Sequence, residues 1–183
     1  MTKKKNNKGK TPNKKRLLIA GCVVGVVALI VAACVFLGKD EEPAVYNPQR
    51  GPLKELTVGY TERQGEMIVV DTSYGNVKFP YAFSDLIGVE ALNQGNQTAL
   101  TFTARIDGQN EELYTIWFNG SKGMTAGSMD LQDGETPITV TLVIYNPGRN
   151  LSGDDLTTFY ATQETVNDVL SSLEETGNFI PAE

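Results

Sequence analysis

Residues 17 to 38 read LLIAGCVVGVVALIVAACVFLG, twenty-two positions without a charge, and they follow a tail holding eight Lys or Arg and no acid. As a helix such a run is about 33 Å long at ~1.5 Å per residue, which matches a bilayer core of roughly 30 Å. Thirteen of its residues are Leu, Ile, Val or Phe. Each favours insertion by about 0.3–0.6 kcal/mol. The chain therefore reads as a bitopic protein with one transmembrane helix.

Charge sets the orientation. The basic residues Lys3, Lys4, Lys5, Lys8, Lys10, Lys14, Lys15 and Arg16 are held on the cytoplasmic side by the positive-inside bias, which exports everything from Lys39 onward. That exported part carries eight basic and twenty-two acidic residues, a net charge of −14. So acidic a domain is repelled by nucleic acid and by anionic lipid. The expected location is the plasma membrane, crossed once, with the N-terminus cytoplasmic and the C-terminal domain outside.

Two other fates of the apolar run stay open. Val31-Ala32-Ala33-Cys34 resembles a bacterial lipobox, in which Cys34 becomes the lipidated terminus. Full secretion after signal cleavage is the other. Against cleavage, Val35, Phe36 and Leu37 carry the apolar run past the cut before it stops at Lys39, Asp40, Glu41 and Glu42. All three readings put the domain outside. Cys22 and Cys34 lie twelve residues apart, about 18 Å along a helix, too far for a disulfide between them. Gly21 and Gly25 form a GxxxG step that lets two spans approach closely, so a weak homodimer through the membrane is a candidate.

Four segments follow: a cytoplasmic tail 1–16, a span 17–38, a Pro-containing stalk 39–54 (Pro43, Pro48, Pro52) and an extracytoplasmic domain 55–183. The domain opens with strand signals at 56–60, 67–71 and 77–79, with a turn at Ser73-Tyr74-Gly75-Asn76. Pro80 ends the third, and 81–86 reads as a short helical turn before a strand at 89–92. Over 99–106 Leu100, Phe102, Ala104 and Ile106 share one face, opposite Thr101, Thr103 and Arg105, the alternation of a half-buried strand. Asp107-Gly108 turns the chain into 112–119, apolar on both faces and so expected to be a central strand covered on two sides. Strands at 124–131 and 138–145 follow. A helix capped by Ser152, with Asp154 and Asp155 in its first turn, carries a stripe of Leu156, Phe159, Tyr160, Val166, Leu170 and Leu173 and ends at Gly177. The fold class is α+β: a mostly antiparallel sheet with a C-terminal packing helix, preceded by the single transmembrane helix.

The turn YGNVKFP, the strand pair TALTFTARIDGQNEELYTIWFNG and the helix DDLTTFYATQETVNDVLSSLEE together resemble the PsbP-like α/β/α sandwich over residues 66 to 176. The chain also resembles uncharacterised membrane-anchored extracellular proteins of Gram-positive bacteria. The resemblance implies an accessory or binding role and carries over no functional residue.

The chemistry available to the domain is narrow. The chain has no histidine, and both cysteines lie in the apolar run. That removes Ser-His and Cys-His nucleophiles and ordinary zinc sites. Asp130, Asp133 and Glu135 are a weak calcium candidate without EF-hand spacing. Asn96, Asn119 and Asn150 head N-x-S/T sequons, acceptors only in a glycosylating pathway. Trp117, Tyr74, Tyr81 and Phe83 are the candidate ligand-binding aromatics. No catalytic residue, metal or cofactor is expected. The leading function is a non-catalytic binding or accessory module for a protein or envelope ligand. A small exterior hydrolase working with carboxylates alone is the rival, and a sensor ectodomain the third reading.

Overall fold

A computed structural model describes residues 46–131 and 136–182, so the expected span at 17–38 lies outside the described residues. Among those described, no helix is long and apolar enough to cross a membrane.

Three strands, β1 (Val58–Gln64), β2 (Met67–Thr72) and β3 (Val77–Pro80), form a small antiparallel sheet in chain order. A 3-10 turn at Tyr81–Phe83 leads to the larger sheet. It comprises β4 (Ile87–Gln94), β5 (Gln97–Ile106), β6 (Gln109–Phe118), β7 (Met124–Met129), β8 (Ile138–Ile144) and β9 (Phe179–Pro181), in the order β4-β5-β6-β8-β7-β9. Every neighbouring pair is antiparallel. The α+β class with a mostly antiparallel sheet is thus observed. The strand β6 is central, between β5 and β8, but its two faces are not equally covered: Phe118 is fully buried and Trp117 half-buried.

One core forms against a single face of the larger sheet. Leu100, Phe102, Ala104 and Ile106 of β5 and Tyr114, Ile116 and Phe118 of β6 are buried there. Ile68 and Val70 of β2 and Val77 and Phe79 of β3 join them, so period-2 alternation in both sheets feeds one apolar layer. Phe102 stacks on Tyr114 at 4.6 Å between ring centroids, and Tyr74 meets Phe118 edge-on at 4.9 Å.

The expected single helix is two. Helix α1 (Gly153–Gln163) and helix α2 (Val166–Thr176) are separated at Glu164 and Thr165. The cause is a set of buried hydroxyls. Thr165 Oγ1 lies 3.0 Å from the Tyr114 hydroxyl and donates to the Thr162 carbonyl at 2.6 Å. Thr162 Oγ1 itself bonds back to the Thr158 and Phe159 carbonyls, the local competition that bends helices at Thr. Ser152 occupies the N-cap position of α1 but makes no capping hydrogen bond through its side chain, contrary to expectation. Gly177 does end α2, its N–H donating to the Leu173 carbonyl at 2.8 Å.

Helix α2 also closes the edge of the small sheet. Ser172 Oγ accepts from Lys78 N at 2.9 Å and Thr176 Oγ1 accepts from Asn76 N at 2.8 Å. Lys78 Nζ adds an ion pair to Glu175 at 2.8 Å. Exposed strand N–H groups are thereby satisfied by hydroxyls instead of by another strand.

Residues 46–54, expected as the outer half of a stalk, run along the domain. Arg50 is buried and donates through Nη1 to the Thr136 carbonyl at 2.6 Å, and Leu53 packs against the core. The first part of the stalk, 39–45, lies outside the described residues.

Candidate functional site

The second face of the larger sheet carries the one tryptophan of the chain. Register places Trp117 beside Ala99 of β5 and Thr141 of β8. Leu92 of β4 and Thr125 of β7 extend the same row on either side. The next row holds Glu90, Thr101, Thr115 and Val143. Thr101 and Thr115 are paired hydroxyl to hydroxyl at 3.2 Å, and the Tyr145 hydroxyl reaches Thr115 Oγ1 at 3.3 Å. Trp117 is half-buried and Leu92 exposed. This face therefore presents a half-buried indole, an exposed leucine and a charge at Glu90, over Ala99, Thr115 and Thr141, which are buried. Thr141 Oγ1 is buried with no hydrogen-bond partner, because the Gly120 backbone lies over it. A Cβ on Gly120 would stand 2.8 Å from the Trp117 Cβ and closer still to the Thr141 hydroxyl.

The four expected aromatics do not converge on one site. Tyr74 is a correction: it is 4 % exposed, packs on Phe118, and donates its hydroxyl to the Lys54 carbonyl at 2.6 Å. The turn at Ser73-Tyr74-Gly75-Asn76 points it inward. Tyr81 and Phe83 sit together on the 3-10 turn. Tyr81 is exposed, but the Arg63 guanidinium covers one ring face at 3.6 Å. Arg63 is held there by the Gly65 carbonyl at 2.8 Å and by Glu66 at 3.8 Å. Phe83 is half-buried against the core.

Two carboxylates have displaced pKa values, for unrelated reasons. Glu111 is buried and accepts from Arg149 Nε and from Gly148 N at 2.9 Å. The Arg149 hydrogen bond holds its carboxyl below the usual range, against the opposing effect of burial. Arg149 also donates to the Ile106 carbonyl at 2.9 Å, so this pair ties the β5–β6 hairpin to the segment after β8. Asp168, in the first turn of α2, is raised by desolvation. Burial likewise raises the Tyr114 hydroxyl above its ordinary value.

Among the described residues there is no group of three or more His, Cys, Asp or Glu able to hold a metal ion. Of the calcium candidates, Asp133 and Glu135 lie outside the described residues, as do Gly21, Gly25 and Cys34. Among the sequons, Asn119 is 1 % exposed with its amide donating to Asn47 O at 3.2 Å and Asn96 O at 2.8 Å. Asn96 is half-buried, and Asn150 is exposed. The sequence shows these asparagines as sequons but not the hydrogen bonds that tie Asn119 to Asn47 and Asn96. Those residues lie far apart in the chain, and the fold alone brings them together.

No family model, no curated protein and no solved structure matches this chain.

Proposed function

We propose that the chain is a single-pass plasma-membrane protein whose acidic domain lies outside and binds a protein or envelope component without catalysis. The uncharged run at 17–38 behind eight cations supports the placement. The observation that carries the binding role is the second face of the larger sheet, where Trp117 stands half-buried in a row with Leu92, Ala99, Thr141 and Thr125. An indole on a rigid sheet supplies contact area at low entropic cost. Of the shifted carboxylates, Glu111 is occupied by Arg149. The PsbP-like resemblance is in keeping with an accessory role.

The full chain in detergent is immobilised and used to capture solubilised envelope components. Trp117→Phe retains capture better than Trp117→Asp. Equal capture by wild type and Trp117→Asp contradicts the assignment of the face.

A further inference from the structure

Asn119 is the one asparagine of the chain followed by glycine. Such a pair is chemically weak, because glycine has no Cβ to keep its nitrogen away from the carboxamide before it. Packing demands it all the same: a Cβ on Gly120 would stand 2.8 Å from the Trp117 Cβ and press on the Thr141 hydroxyl. The same carboxamide latches the segment 47–57, a strap that runs along the domain. Asn119 Oδ1 accepts from Asn47 N and Nδ2 donates to Asn47 O, both at 3.2 Å, and Nδ2 also donates to Asn96 O at 2.8 Å. With the strap docked the pair is locked. Asn119 is 1 % exposed, and its carbonyl accepts from Gln97 Nε2 at 2.9 Å. The Gly120 N–H, the group that would attack, donates to the Thr139 carbonyl at 3.2 Å.

We propose that Asn119-Gly120 is a deamidation site guarded by the strap, and that its conversion permanently unlatches the strap at Asn47. The chemistry needs water alone. Once Asn47 has left and the end of β6 frays, the Gly120 N–H gives its proton to solvent base and the nitrogen attacks Asn119 Cγ. The N–Cγ bond forms, the Cγ–Nδ2 bond breaks, and Nδ2 leaves as ammonia with a proton from solvent. Water then opens the cyclic imide at either carbonyl, giving aspartate or isoaspartate, and no group is oxidised or reduced. Neither product restores the latch. A carboxylate has no N–H to offer Asn47 O and Asn96 O, and it sets a negative charge against both. Isoaspartate also carries the backbone through the former side chain. Farther along, Tyr74 still holds Lys54 O and Asn93 still holds Leu56, so the strap comes loose from its Asn47 end.

The test keeps the full chain in detergent and mildly alkaline buffer and locates deamidation by peptide mass spectrometry. Two variants open the guard: deletion of residues 46–50, and Arg50→Gln, which loses the bond to the Thr136 carbonyl and keeps the chain whole. Conversion at Asn119 is expected to run about tenfold faster or more in the deletion, since a buried site reacts through its open population. Arg50→Gln should fall between the deletion and wild type. Equal rates at Asn119 in all three chains overturn the proposal. Where the deletion unfolds the domain, Arg50→Gln against wild type decides. The consequence is read separately in Asn119→Asp, whose cleavage by trypsin after Arg50 should speed up about tenfold. An Asn119→Asp chain cleaved no faster than wild type also overturns it.

Discussion

Gly75 and Gly177 meet backbone to backbone, where the turn after β2 touches the end of α2. A Cβ on Gly75 would lie 2.6 Å from the Gly177 Cα, and a Cβ on Gly177 would press on the Tyr74 carbonyl oxygen. Gly75 has in addition a φ of 129°, a region that L side chains rarely adopt. We expect Gly177→Ala to cost about 1–3 kcal/mol through overpacking. Gly75→Ala adds backbone strain of about 1–3 kcal/mol. Urea midpoints at constant m-value measure both.

Adjacent residues of β6 give the contrast between the two faces of the sheet. Phe118 is fully buried in the core, and Trp117 stands on the other side. Phe118→Ala is expected to cost about 3–5 kcal/mol. Trp117→Ala should cost about 1 kcal/mol or less, as at positions outside the core. Similar losses at both positions would place Trp117 in a second packed layer.

Acid sensitivity should trace to Glu111. Its pKa is lowered in the folded state by Arg149, so the unfolded chain binds the proton more readily. The stability it contributes is present above the ordinary glutamate value of about 4.3. It is lost as pH falls through the lower folded value. Wild type therefore weakens below about pH 4.3. In Glu111→Gln that acid step shrinks, while stability at neutral pH is already reduced. Thermal melts from pH 3 to pH 7 compare the two.

Asn119 should latch the strap without supporting the core. Asn119→Ala removes its hydrogen bonds to Asn47, worth about 1 kcal/mol each. Trypsin cleavage after Arg50 and Lys54 is then expected to speed up on the order of tenfold, because cleavage tracks the open population. Unchanged cleavage would mean that Leu56 and Asn93 hold the whole segment.

Local periodicity was enough for much of this architecture. The alternation over Leu100 to Ile106 places those residues in the core, and β6 is central as its apolar residues predict, though Trp117 on one face is only half-buried. The end of the last helix at Gly177 was equally legible. The break at Thr165 was not, since it depends on a hydroxyl of Tyr114 fifty-one residues away. Nor was β9, three residues long, which exists only because β7 offers it an edge. The docking of 46–54 was hidden for the same reason. Its prolines and charges read as linker, and what holds it are carboxamides and hydroxyls from distant turns. Trp117 stands on the face of β6 opposite Phe118, where strand alternation puts it. Tyr74 was misplaced, because its turn sends it toward Phe118.

Topology is tested most directly by labelling intact cells with a membrane-impermeant maleimide. The chain carries Cys22→Ser and Cys34→Ser with a single new cysteine, either Thr2→Cys in the tail or Tyr60→Cys on β1, where Tyr60 is 73 % exposed. Labelling at position 60 and protection at position 2 until the cells are lysed is the expected result. Labelling at position 2, or protection at position 60 before lysis, contradicts an anchored domain facing outward.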